Sequence, residues 1–287
     1  MTLPYRVPGA PSLAVDLHGE GAGAFVLFMH GIGGNRRNWR SQLPAFGVHG
    51  SSAAWDARGY GDSDDYEGPL AFDDFVADVV RVLDHFGVER AHLVGRSMGG
   101  RIAMRAALQH PGRVATLTLV DTHEGFTAFS PAQRQAFVES RRAPLLAGKQ
   151  PADIAEGVAR SLVGPHASTE HLQELIDSIA ALHKESYIKS LEATVNQIDV
   201  GDIRAIRAPA HFIVGEQDPL TTPDMHREMA AKLGNAPVTV LPRAGHLSNI
   251  ENAEAFNDAA LEWLLPRIGS GSAPRRWPLR RGSTERS

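Results

Sequence analysis

A chain of 287 residues, 43% of them hydrophobic, is long enough for one large α/β domain with an insertion. It has no cysteine, which excludes disulfides and thiolate metal sites, and no apolar run reaches the roughly 18 residues that span a bilayer. The net charge of −4 is uneven: residues 269–287 carry five arginines against Glu285, so residues 1–268 hold −8, which argues against nucleic-acid binding by the folded part.

The first eight residues, Met1 to Pro8, lack a charged region followed by an apolar one, so no secretory signal is expected. With no cysteine to protect, the cytoplasm is the expected location. Residues 12–18 alternate apolar and polar, as a half-buried strand does, and glycines between 19 and 23 supply a turn. The apolar run 24–29 reads as a strand covered on both faces, and the two strands are expected to pair as a hairpin. That run leads into His30-Gly31-Ile32-Gly33-Gly34-Asn35, whose backbone amides are free to face a ligand. A plain turn or a phosphate loop would also be glycine-rich, but neither G-x-G-x-x-G nor a P-loop lysine is present.

A short helix over 39–46 and a strand over 51–55 follow, then the turn-rich loop 56–63, in which Asp56 and Arg58 are expected to form a structural ion pair. Apolar spacing predicts a helix over 72–86 that Gly87 ends. Strands at 91–94 and 114–120 flank Gly95-Arg96-Ser97-Met98-Gly99-Gly100 and the helix after it. Strand–helix alternation of this kind implies a parallel, doubly wound sheet.

Between 123 and 199 the alternation stops. Ser130-Pro131-Ala132-Gln133 reads as N-cap, proline at the first turn and a capping-box glutamine. Helices are expected at about 131–147, 151–163, 168–183 and 185–198, forming a cap over the carboxyl ends of the strands, where ligands of open α/β sheets bind. Phe126, Phe129, Phe137, Leu145 and Leu146 are its expected pocket-facing side chains. Strands at 210–214 and 238–241 and helices near 223–233 and 252–265 complete the core. The expected division is 1–122 and 200–268 as core, 123–199 as cap, and 269–287 as a disordered basic tail.

Strand, G-x-S-x-G and helix together form the setting of a nucleophile elbow, although a serine that merely caps a helix would look alike at this one spot. Asp218 lies just past the strand at 210–214 and His246 just past that at 238–241, at the same sheet edge as Ser97. A serine nucleophile needs a base, and the base needs a carboxylate to fix its tautomer; His246 and Asp218 are the candidates. Read alone, His246 would be one loop histidine among 13.

These motifs, in this order, resemble those of the α/β-hydrolase fold proteins over about residues 12–267. The resemblance implies a mostly parallel, eight-stranded twisted sheet with helices on both faces and a helical cap after the sixth strand. It implies a triad of Ser97, Asp218 and His246, with the amides of Ile32 and Met98 as oxyanion hole, no metal and no cofactor. Asp121, at another strand end, is the lesser candidate for the acid. The Ser97-Met98-Gly99-Gly100 run and the cap are similar to carboxylesterases, 3-oxoadipate enol-lactonases and meta-cleavage product hydrolases. The expected partner is a small-molecule ester or lactone, with no nucleic acid and no membrane; C–C cleavage of vinylogous diketones and a non-enzymatic ligand receptor are the alternatives. Arg37, Arg141 and Leu247 are candidate substrate contacts, while Arg96 and Arg142 complete a set of arginines that would suit a carboxylate or simply carry structural charge.

Overall fold

The computed structural model describes residues 2–127, 129–197 and 199–278. Eight strands form one sheet: β1 (Leu3–Val7), β2 (Leu13–Gly19), β3 (Phe25–Met29), β4 (Ser51–Trp55), β5 (Ala91–Arg96), β6 (Val114–Val120), β7 (Ala210–Gly215) and β8 (Val238–Leu241). Their spatial order is β1-β2-β4-β3-β5-β6-β7-β8. The first two pairings are antiparallel and the rest parallel. This is the mostly parallel, eight-stranded α/β-hydrolase sheet that the motifs imply.

Two details differ from the expectation. Leu3–Val7 is a strand that its composition hid, because Pro4 and alternating exposure suit only a sheet edge. The hairpin partner of β2 is β1, not β3. Fully apolar β3 is buried on both faces and takes the centre between β4 and β5, whereas β2, with Asp16 and His18, lies near the rim.

Alternate strand residues feed two cores. On one face Leu27, Met29 and Leu93 pack with Phe75, Val79 and Leu83 of α2 (Phe72–Phe86) and Ile102 and Ala106 of α3 (Met98–Gln109). On the other, Val26, Phe28, Val94 and Ile213 meet Phe46 of α1 (Gln42–Gly47) and Phe256 and Leu264 of α10 (Ala253–Leu264). Gly87 ends α2 in the left-handed region at φ 64°. Helix α8 (Pro223–Lys232) packs beside β7, and the single turn α9 (Ser248–Glu251) follows His246.

Between β6 and β7 the described residues form four α-helices, α4 (Pro131–Leu146), α5 (Pro151–Arg160), α6 (Thr169–Ala180) and α7 (Lys184–Asn196). The two ends of this insertion touch each other: the Val200 amide donates to the Glu124 carbonyl at 3.0 Å, and Gly125 bridges to Asp199.

Residues 269–278 are not the disordered segment that their composition predicts. The Ser272 amide donates to the Arg90 carbonyl, its hydroxyl accepts from the amides of Glu89 and Arg90, and Arg275 pairs with Glu89. Trp277 packs against Phe25 and Phe86, with ring centroids 6.1 and 5.7 Å away. One aromatic anchor outweighs the Gly/Ser/Arg composition around it. The rest of that expectation falls on 279–287, outside the described residues.

Candidate active site

The strand ends that carry the candidate residues stand side by side, with Met29 opposite Gly95, Arg96 opposite Val120 and Gly215 opposite Leu241. Ser97 sits between β5 and α3 at φ 53°, ψ −115°, a backbone conformation that costs a non-glycine residue about 1–3 kcal/mol. Its amide donates to the Val120 carbonyl at 2.9 Å and its carbonyl accepts from the Thr122 hydroxyl at 2.7 Å. The flanking glycines are sterically required: a Cβ on Gly95 would lie 2.2 Å from the Gly99 carbonyl oxygen, and one on Gly99 2.2 Å from that of Met29.

Asp218 and His246 are both buried and joined by a 2.9 Å hydrogen bond between Nδ1 and Oδ2. A carboxylate acceptor places the proton on Nδ1, which leaves Nε2 with a lone pair and no partner among the described residues. Asp218 is itself fixed, because Oδ1 accepts from the amides of Leu220 and Thr221 and Oδ2 from the Thr221 hydroxyl. Burial alone would push the Asp218 carboxyl up, but His246 and Thr221 hold it below the ordinary range. Burial likewise pulls His246 down, and Asp218 and then Asp121 reverse the sign, so its pKa is raised. Asp121 spends Oδ1 on the Gly215 amide and Oδ2 on the amide and hydroxyl of Ser248. It makes no hydrogen bond to His246, and burial, reinforced by Asp218, raises its pKa.

The His30–Asn35 loop lies against the elbow: a Cβ on Gly31 would be 3.0 Å from that of Ser97. His30 braces it, donating from Nδ1 to the Gly31 carbonyl at 2.8 Å while Nε2 accepts from the Ala57 amide at 3.0 Å. Burial lowers the His30 pKa to about 4, so the ring is neutral as this bonding requires. The amides of Ile32 and Met98 donate to no acceptor among the described residues.

Two small chambers, of about 40 and about 60 Å³, share Ile32, Ser97, Phe137, Leu220 and His246 as walls. The first also has Arg96, Arg141, Tyr187 and Leu247; the second has Met98, Arg101, His123, Phe126 and Phe129. Of the candidate contacts, Arg141 and Leu247 thus line a chamber. Arg37 does not: it is exposed and belongs to neither wall. Arg142 pairs with Glu139 and Glu192 on the cap surface. Leu145 is fully buried and Leu146 is 64% exposed, and neither lines a chamber. Asp56 and Arg58 are both in ion pairs, but not with each other. Asp56 pairs with Arg36, and Arg58 with Asp78 at 2.7 Å. Tyr187 and Arg101 were not singled out by sequence, since nothing local tells which face of a helix meets a cavity.

A mostly parallel eight-stranded sheet with a strained serine between strand and helix, and an Asp–His pair on the neighbouring strand ends, defines an α/β hydrolase. The chain belongs to that family: the model of the alpha/beta hydrolase fold matches residues 25–253. It is 33% identical to a 2-hydroxy-6-oxononadienedioate/2-hydroxy-6-oxononatrienedioate hydrolase of Paraburkholderia phymatum, covering 89% of this chain and 92% of that one. It is 29% identical to a Variovorax paradoxus protein named as a carbamate hydrolase, RutD, over 91% and 99% of the two chains. Among solved structures, the enol-lactonase of Burkholderia xenovorans LB400 superposes with a TM-score of 0.80 at 26% identity, over 91% of this chain and 100% of that one. Among the described residues no helix is long and apolar enough to cross a membrane.

Proposed function

We propose that the protein hydrolyses an ester or lactone bond of a small molecule through an acyl-enzyme on Ser97. The carrying observation is the His246–Asp218 bond, which leaves Nε2 unprotonated in the cavity that Ser97 also lines. Nε2 takes the Ser97 proton as Oγ attacks the carbonyl carbon, and the amides of Ile32 and Met98 receive the negative charge on the carbonyl oxygen. The imidazolium returns the proton to the leaving oxygen, the C–O bond breaks, and the alcohol departs. Water then loses a proton to His246, attacks the acyl carbon and releases the acid with Ser97 restored.

A panel of 4-nitrophenyl esters of increasing acyl length, run beside lactones and a vinylogous diketone, tests the bond type. Multiple turnovers on esters or lactones are the expected result. Turnover confined to the diketone would favour the second reading, C–C cleavage, to which the Paraburkholderia relative lends weight. A single slow acylation with no turnover would favour a receptor.

The pH profile is a second check. His246 must be neutral to accept the Ser97 proton, so activity is lost as pH falls through its pKa. That pKa is raised from its ordinary value of 6.5, so the acid limb of kcat/KM should have its midpoint above 6.5. A midpoint below 6 would remove His246 as the base.

A further inference from the structure

Arg96, the residue before Ser97, is a buried cation without a counter-ion among the described residues. It is 3% exposed, its Nε and Nη1 atoms have no hydrogen-bond partner among the described residues, and no described carboxylate stands in ion-pair contact with it. Asp121, Glu174, Glu251 and Asp218 attract it only from a distance, and burial still lowers its pKa. The other deeply buried guanidiniums are tied down. Arg36 holds Asp16, Asp56 and Asp62, and Arg101 donates to the carbonyls of Thr194 and Gln197. An uncompensated buried charge is strongly unfavourable, so Arg96 is poised for a partner from outside the chain.

The chamber that Arg96 lines contains a second guanidinium. Arg141, from α4, is half-buried, lies over the Phe137 ring at 4.2 Å and donates to the Phe137 carbonyl and the Ser140 hydroxyl, and it has no ion-pair partner among the described residues. Tyr187 stands beside it, and burial pushes that hydroxyl up to about 12, so it is neutral. Among the described residues no Asp or Glu lines the chamber. Its volume of about 40 Å³ exceeds the roughly 10–15 Å³ that accommodates one water.

We propose that this chamber is a carboxylate subsite, and that the substrate is an ester or lactone carrying a second, ionised carboxylate away from the reacting carbonyl. Arg96 and Arg141 bind that group, the planar guanidinium fork matching a carboxylate. The inference rests on the ester-hydrolase reading above. Arg96 also flanks the oxyanion loop, since a Cβ on Gly34 would lie 3.1 Å from its Nη2. A purely electrostatic effect on the oxyanion would speed charged and neutral substrates alike, and the test separates the two.

Monomethyl succinate, glutarate and adipate are compared with the methyl esters of the corresponding terminal amides, matched in size but uncharged. The pair 4-acetoxybutanoate and its amide puts the charge on the alcohol side instead. In at least one pair kcat/KM should favour the anion by at least ~30-fold, the scale of a desolvated charge pair. Arg96→Gln and Arg141→Gln should each cut that ratio at least ~10-fold, chiefly through KM. Because the ratio is internal, a general loss of activity cancels. Equal rates within every pair, or a preference that survives both substitutions, would overturn the proposal. If Arg96→Gln fails to fold, calorimetry on the Ser97→Ala chain decides: monomethyl glutarate should bind more tightly than its uncharged terminal amide, methyl glutaramate, and equal affinity sinks the carboxylate subsite. Failure of the hydrolase reading looks different: no turnover of any ester and no fluorophosphonate adduct, with monomethyl glutarate binding retained.

Discussion

Ser97→Ala should lower kcat by at least ~10³-fold and leave the fold intact, because the substitution removes one oxygen from a serine already held by backbone bonds. Those bonds use the Ser97 amide and carbonyl, not the hydroxyl, so the elbow geometry has no reason to relax. A fluorophosphonate probe should label the wild-type chain once and the variant not at all. Retained circular dichroism alongside lost labelling separates chemistry from folding. Labelling that survives the substitution would put the nucleophile elsewhere.

Asp218→Asn should approach the same loss, about 10⁴-fold in kcat, because an amide in place of the acceptor favours the wrong tautomer of His246. Asp121→Asn should cost kcat much less. Its carboxylate is committed to the Gly215 amide and to Ser248, so its loss is expected in stability more than in turnover. Parallel kcat measurements and urea unfolding of the two variants decide the matter. If Asp121→Asn is the more damaging to kcat, the orienting acid is at the end of β6.

The part of this arrangement legible from sequence is the part that is local. Buried strands announce themselves as apolar runs, and here each is followed at once by glycines or by a polar residue with a chemical use. Ser97, Asp218 and His246 could therefore each be assigned to a strand end, and parallel order brings those ends to one edge. Through-space relations were not legible. That Arg58 meets Asp78 instead of Asp56 depends on how α2 rests on the sheet, and the pairing of β2 with β1 and β4 depends on which strands tolerate a wet face. The burial of Arg96 is of the same kind. Its sequence neighbours show an arginine beside a serine, and only the packed loop, elbow and cap reveal that it lacks a partner. Trp277 makes the point from the opposite direction, since a single large side chain gave ten unpromising residues something to hold.

The chain leaves the sheet after Val120 and rejoins it at Ala210, and in between Glu124 and Val200 are hydrogen-bonded to each other at the two ends of the cap. A segment whose ends are already closed imposes little on its host, because the closure is made by the host and not by what lies between. The helices between those ends are nonetheless tied to the host: the His246 amide donates to the Leu162 carbonyl, and Arg101 to the carbonyls of Thr194 and Gln197. A remodelled insertion has to keep those anchors, while the side chains that face the chambers are left to vary. Old reaction chemistry can thereby acquire new clients without being reinvented.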